Sequence, residues 1–332
     1  MRVATLIPAY RVEYFVSALN SALNQTVRPD LIIVSDDTPN AEIAEMLDTK
    51  DIVKTLSDLN IKMEVIVGPR KKKSYWNLMC LIEAWNGQTD TAHFLNDDDC
   101  IFPTFYENHL RLIENNGLLA SVSRRWMGDK TGTIVGAFNI PDFIKNIDAK
   151  QMLIDPKSLF QSVVPQSSNW LGEFSNTLFH KTSLKELRTE DLDGLSFYGL
   201  GDIGFFLQIG QQGKLGFINE HLGFFRVHDN QNTGNVDKLD YLAAILAWIP
   251  IAVSSEKLGF INQIEKNVAI TQILNLIFEI YKSSKYCDMI DRHFNKMINP
   301  ESRSKYFSEE DFLNCWKRFI VLAKNLNSLN EI

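Results

Sequence analysis

The 332-residue chain is poor in cysteine, in long apolar runs and in excess basic charge. Its four cysteines, Cys80, Cys100, Cys287 and Cys315, lie far apart with no CxxC pair, so neither a zinc site nor a disulfide framework can be read from their spacing. The longest apolar stretch, Tyr241 to Val253, covers 13 residues and contains Pro250, short of the ~20 needed to span a bilayer. The opening segment, residues 1–8, has one positive charge and an apolar run stopped by Pro8, too short for a signal-peptide core. With 34 Lys+Arg against 41 Asp+Glu the net charge is −7, which argues against a general nucleic-acid binder. No GxxxxGKS/T loop occurs, and no GxGxxG follows the first apolar run, which speaks against a P-loop enzyme and a dinucleotide oxidoreductase. Together these absences predict a reduced, cytoplasmic protein. What is present is ordinary globular composition, 45 % hydrophobic and 23 % charged, at a length that predicts about two domains.

The first hundred residues alternate strand and helix. Strands are expected at Val3–Ile7, Leu31–Val34, Met63–Val67 and Ala92–Leu95, with helical periodicity over Val12–Asn24, up to Leu47, and over Ser74–Trp85. This order predicts an α/β fold with a doubly wound, mainly parallel sheet. Further on, Leu118–Val122, Asn176–Phe179, Phe217-Ile218 and Phe224–Val227 read as strands, and Phe205–Ile209 as helix. From Leu239 to Leu329 helical periodicity dominates, so a soft boundary falls near 235. The expected division is a catalytic domain over 1–235, split into halves at about 123/124, and a C-terminal helical region over 236–332.

Ligands of an open parallel sheet bind at the carboxyl ends of its strands. Asp36-Asp37 follows the second expected strand, and Asp97-Asp98-Asp99 follows the fourth. Asp is common in turns and caps, so either cluster alone is weak. Five carboxylates at one sheet edge are unfavourable unless a cation or a hydrogen-bonding ligand offsets them. Hard oxygen ligands favour Mg2+ or Mn2+, which complete their shells with substrate phosphates.

Several segments now form a pattern: Leu6-Ile7-Pro8-Ala9-Tyr10, Asn24-Gln25-Thr26, and Ile32-Ile33-Val34-Ser35-Asp36-Asp37. Trp76-Asn77 precedes Phe94-Leu95-Asn96-Asp97-Asp98-Asp99. Gly201-Asp202 with Phe205-Phe206-Leu207, and Phe225-Arg226-Val227-His228, close the series. In this order, over about 230 residues, they resemble glycosyltransferase family 2. The resemblance implies a GT-A fold, a nucleotide-sugar donor and inversion at the sugar carbon, and does not cover the last hundred residues.

Residue by residue, the resemblance implies that Pro8, Ala9 and Tyr10 border the nucleotide base, that Asn77 belongs to the nucleotide side, and that Asp37 accepts from a uracil ring N–H with Asp36 supporting it. It also implies Asp97 and Asp98 near the nucleotide, with Asp98 by the ribose. Asp99 is implied as ligand of a Mn2+ or Mg2+ on the diphosphate, with His228 approaching from the other side, and Asp202 as general base. Asn96 stands where the DxD pattern begins, and Gly201 stands where the family often has a second acid. The residue types suit the reaction. A cation stabilises a departing diphosphate without a proton donor, and an Asp, ionised at pH 7, can take the acceptor's proton.

Arg70-Lys71-Lys72-Lys73 reads either as a solvated turn or as Arg70 and Lys73 reaching the diphosphate or anionic lipid. Trp170 and Glu173 fall where the resemblance places the sugar and acceptor pocket, and Arg226 joins them as a candidate contact. Trp170 reads equally well as packing. The apolar run 241–250 reads as a buried helix, a homodimer contact or a peripheral membrane contact. The expected partners are a nucleotide sugar and a glycan or lipid-linked acceptor in bacterial surface glycan assembly, in the cytoplasm at the inner membrane face. Two rivals share these residues. One is a non-catalytic nucleotide- or sugar-binding module, which Asn96 and Gly201 favour. The other is a sugar-nucleotide nucleotidyltransferase, weakened by the missing Gly-rich loop.

Overall fold

The structure, a computed structural model, describes residues 1–70, 74–228, 236 and 239–329. Lys73 and the boundary expected near 235 lie outside the described residues. The strands are β1 (Val3–Ala9), β2 (Leu31–Asp36), β3 (Lys62–Val67), β4 (Thr91–Phe94), β5 (Cys100–Ile101), β6 (Ala120–Gly128), β7 (Ile134–Ala137), β8 (Gln151–Ile154), β9 (Thr177–His180), β10 (Asp191–Leu192), β11 (Leu195–Ser196) and β12 (Leu215–Arg226). The main sheet runs β3-β2-β1-β4-β9-β6-β12-β5, with β7 paired to β6 and β8 to β12. Strands β3, β2, β1 and β4 are mutually parallel, as is the β6–β12 pair; β9, β5, β7 and β8 join antiparallel.

The N-terminal strands follow from their composition. All six residues of β2, and all of β1 but Pro8, are buried, as strands of a parallel sheet covered on both faces must be. β3 is the edge strand, carries Lys62 and Glu64, and leaves Val67 73 % exposed. The helix Val12–Leu23 buries Phe15, Ala18, Leu19, Ala22 and Leu23, one stripe at helical spacing. The helix Phe105–Asn116 ends at Gly117, whose φ of 61° supplies the left-handed cap.

Two expectations about element length differ. The strand at Leu118–Val122 extends to Gly128 as β6, and the two short strands at 217–218 and 224–227 form one strand, β12. The polar Asn219-Glu220-His221 reads as a break in sequence. In the sheet, register shifts between Ile218 and His221 and between His221 and Phe224 carry the strand through. The Asn219 N–H donates to the Lys150 carbonyl at 2.8 Å.

Packing divides the chain into two compact units that are discontinuous in sequence. The first comprises Met1–Pro156, Trp170–Thr189 and Ile209–Asp229; the second comprises Lys157–Asn169, Glu190–Gln208 and Asn230–Ile332. The second contains the helices Leu239–Lys257, Gln263–Tyr281, Cys287–Phe294, Pro300–Tyr306 and Glu309–Leu329, and the β10–β11 hairpin. That hairpin turns at Asp193-Gly194, both at positive φ, and the Trp316 indole N–H donates to the Ser196 carbonyl at 2.9 Å. The helix Leu239–Lys257 exceeds the apolar run in its sequence. It is long and apolar enough to cross a membrane by length and composition, but 67 % of its apolar window is buried, which fits a core helix.

Candidate active site

The register of the parallel strands collects the candidate residues. Ala9 pairs with Asp36 and Asp36 with Val67, while Leu6 pairs with Phe94. Tyr10, Asp37, Gly68 and the Asn96–Asp99 turn therefore leave the sheet at the same edge, where the strand order reverses between β1 and β4. Tyr10 is 40 % exposed and Trp76 45 % exposed.

Asp36 serves the backbone. Its Oδ1 accepts from the Thr38 N–H at 2.9 Å and its Oδ2 from the Ala44 N–H at 2.9 Å, capping the helix Glu42–Leu47, whose own preceding residue is alanine. Asp37 is buried, and its Oδ1 accepts from the Arg70 N–H. A Cβ on Gly68 would lie 2.8 Å from Asp36 O and from the Asp37 Cα and Cβ, so only glycine lets β3 end against these two residues. Asn77 is buried with Nδ2 3.4 Å from the Ser35 carbonyl, and its Oδ1 has no partner among the described residues.

The three consecutive carboxylates are held differently. Asp97 Oδ2 accepts from the N–H groups of Tyr10 and Arg11, and its Oδ1 lies 3.2 Å from the Arg11 guanidinium. Burial, with the Asp98 charge adding, pushes its pKa up to about 6. Asp99 Oδ1 accepts from the Arg226 N–H at 3.0 Å and Oδ2 from the Asn96 amide at 3.2 Å; burial and then Asp98 raise its pKa well above the ordinary carboxylate range. Asp98 Oδ2 meets His228 Nε2 at 3.1 Å and Arg11 Nη1 at 3.3 Å. Its Oδ1 has no hydrogen-bond partner among the described residues. The resemblance implies Asp99 on a metal with His228 approaching from the other side; in the structure the imidazole meets Asp98, while the Asp99 oxygens accept from the Arg226 N–H and the Asn96 amide.

Arg226 is 3 % exposed and acts as a clamp. Its Nε donates to the Asp98 carbonyl at 2.7 Å and its Nη1 to the Lys130 carbonyl at 3.0 Å, with the guanidinium over the Tyr14 and Phe224 rings. It holds the acidic turn rather than offering its charge outward. Trp170, read from sequence as either a sugar-pocket or a packing residue, is 6 % exposed and lies edge-to-face with Phe143 and Phe217. Glu173 is paired in a bidentate bridge by Arg125, at 2.5 and 2.8 Å. Gly172 beside it has φ +116°, and a Cβ there would lie 2.4 Å from Asn176 Oδ1.

The sequence reading did not single out Arg11, Ser175 or Arg125. Arg11 follows the Pro8-Ala9-Tyr10 segment directly, a signal that was available. The Ser175 hydroxyl accepts from the Asn96 N–H at 3.1 Å, a contact only the fold creates. Asp202 lies in the second compact unit, in the first turn of the helix Gly201–Gln212. A cavity of about 290 Å3 lined by Arg124, Phe138, Asn139, Lys145 and Asn219 involves none of the three carboxylates.

Among the described residues no three His, Cys, Asp or Glu side chains form a metal-holding group. Asp98 with His228 is a two-ligand set, one hard oxygen and one imidazole. That suits Mg2+ or Mn2+ when substrate oxygens complete the shell, and Asp98 Oδ1, without a hydrogen-bond partner among the described residues, is placed to join it.

Residues 5–164 match the family model described as Glycosyl transferase family 2. No curated protein matches the chain. Among solved structures, S. aureus TarS 1-349 in complex with UDP is similar at TM-score 0.55 and 13 % identity, covering 95 % of this chain and 81 % of that one. S. aureus TarS 1-349 in complex with UDP-GlcNAc gives TM-score 0.55 and 13 % identity, with 96 % and 81 % covered. At this identity the likeness shows the fold, a GT-A-type α/β arrangement with C-terminal helices, as the sequence resemblance implied.

Proposed function

Residues 5–164 are a glycosyl transferase family 2 domain, and from that premise we propose that this glycosyltransferase moves a sugar from a UDP-sugar to an acceptor hydroxyl with inversion, assisted by Mn2+ or Mg2+. The observation that carries the reading is the meeting of Asp98 and His228 at the carboxyl edge of the parallel strands, 3.1 Å apart. The UDP and UDP-GlcNAc bound by the similarly folded TarS support the choice of donor.

Asp98 and His228 would hold the cation, which when bound offsets the charge of the departing diphosphate. The chain's own residues do the remaining work. Pro8, Ala9 and the exposed Tyr10 border the base, and Asp37 accepts from its ring N–H while Asp36 fixes the turn through Thr38 and Ala44. Asn77 lines the nucleotide side, and Arg70 is the basic candidate for the diphosphate. Asp97 anchors the turn to the Tyr10 and Arg11 backbone, and Asp99 anchors it to Arg226 and Asn96. Asp202, assigned on the family resemblance, takes the proton of the attacking hydroxyl, a role worth about 10²–10⁴-fold in rate. We assign residues 1–235 to catalysis and 236–332 to a helical extension, and the acceptor to a surface glycan or its lipid-linked precursor at the inner membrane face.

Incubation with a panel of nucleotide sugars and Mn2+ or Mg2+, following nucleoside diphosphate release, tests the proposal. UDP release that depends on an acceptor is expected. UDP binding without release from any donor identifies a non-catalytic module, and pyrophosphate release from a sugar phosphate and a nucleoside triphosphate identifies a nucleotidyltransferase.

A further inference from the structure

We propose that Arg11 is the resident counter-charge of the acidic turn, competing with a divalent cation for Asp98 and releasing that carboxylate when a diphosphate arrives to take the guanidinium. The inference rests on the functional reading above. It starts from one atom with two partners: Asp98 Oδ2 is 3.3 Å from Arg11 Nη1 and 3.1 Å from His228 Nε2. The same Nη1 lies 3.2 Å from Asp97 Oδ1.

The two carboxylates depend on Arg11 unequally. Asp97 Oδ2 is already satisfied by two backbone N–H groups, from Tyr10 and from Arg11 itself, and those bonds survive any change of the side chain. Asp98 has only Arg11 and His228 on one oxygen, and nothing on the other among the described residues. Arg11 thus brings to Asp98 the kind of positive charge a cation would bring.

A cation held by Asp98 and His228 would sit within a few ångströms of the guanidinium, and like charges at that distance oppose each other. Arg11 therefore weakens cation binding for as long as it stays on Asp98. Its side chain is 23 % exposed, so it is not locked in the core, and its planar fork of donors matches phosphate oxygens as well as carboxylates. A diphosphate offers it a second partner. Once Arg11 moves there, the repulsion turns into attraction for the nucleotide, and Asp98 is freed for the cation. The arrangement makes cation binding follow nucleotide binding and disfavours a cation-loaded, nucleotide-free state.

The test measures Mn2+ binding to the full chain without nucleotide, by the electron paramagnetic resonance signal of free Mn2+, and UDP binding without metal, by calorimetry. Arg11→Met keeps the backbone N–H and the side-chain bulk but removes the charge. It is expected to bind Mn2+ about tenfold more tightly than the parent and metal-free UDP about tenfold more weakly. Arg11→Lys, which keeps the charge, is expected to retain the parent's Mn2+ affinity and serves if the methionine variant folds poorly. Asp98→Asn in either background is expected to remove the Mn2+ signal change. Equal or weaker Mn2+ binding by Arg11→Met, or tighter Mn2+ binding by Arg11→Lys as well, overturns the proposal. Failure of the parent to bind UDP under any condition counts against the functional reading, while the nucleotide-free Mn2+ comparison still decides the role of Arg11.

Discussion

His93 is a buried side chain whose tautomer is set by its partners. Nε2 bonds the Ser175 carbonyl at 2.9 Å and so carries the proton, leaving Nδ1 to accept from the Tyr106 hydroxyl at 3.0 Å; Tyr106 and Thr5 are in turn 2.6 Å apart. Burial lowers its pKa from 6.5 to about 4, against the push of the Ser175 carbonyl. His109, also buried, is lowered well below its usual value by burial and then by His93. The sign follows from linkage. Between pH 6.5 and about 4 the unfolded chain binds protons that the folded His93 refuses, so stability is full above 6.5 and falls as pH drops through that window. The loss from His93 is expected to reach about 3 kcal/mol, read as urea midpoints at several pH values. His93→Gln should show a shallower decline below pH 6.5, and a slope equal to the parent's would count against this account.

At the scale of elements, Lys266 ties three helices of the second unit. It lies in the helix Gln263–Tyr281, is 5 % exposed, and reaches Glu309 at 2.7 Å and Glu256 at 3.4 Å. Burial pulls its pKa down, but the bonds and charges of Glu309 and Glu256 outweigh that and raise it. Glu309→Gln leaves a buried ammonium with one distant carboxylate and is expected to cost roughly 1–2 kcal/mol, because Glu309 is itself partly exposed. Lys266→Met removes the buried charge altogether and is expected to cost less than Glu309→Gln in the same chemical unfolding experiment. The opposite order would show that the ion pair contributes packing rather than charge balance. None of this is legible in sequence, where Lys266 reads as one more solvated lysine on a helix. The N-terminus of the same helix is legible: Asn262 and Glu265 form a reciprocal capping box, at the spacing such boxes require.

Across the whole molecule, nucleotide-side residues and the assigned base fall in different compact units. Binding and turnover should therefore respond separately to mutation. Asp202→Asn is expected to keep the parent's affinity for UDP with metal and to lose transfer by about 10²-fold or more, measured as diphosphate release. Transfer at the parent's rate would remove Asp202 from the role. The first unit was the more readable of the two. Its four parallel strands appear within a residue or two of where apolar runs placed them: β1, β2 and β4 are buried and so nearly continuously apolar, and the edge strand β3 is marked by its apolar end Val65-Ile66-Val67. β12 was less readable because its bulges interrupt the pattern without ending the strand.

The sequence by itself determined the strand–helix order, the sheet edge at which Asp36, Asp37 and Asp97–Asp99 emerge, and the family that these segments resemble, because strand composition, turn residues and chain order are local properties. Tertiary structure alone decided which oxygen faces which partner. Three adjacent aspartates look interchangeable in sequence. Folded, Asp97 is taken by the Tyr10 and Arg11 backbone and Asp99 by Arg226 and Asn96, and among the described residues Asp98 alone of the three meets His228 and keeps an oxygen without a partner. Those partners come from positions up to 130 residues away, and spacing along a chain carries no information about contacts at that distance.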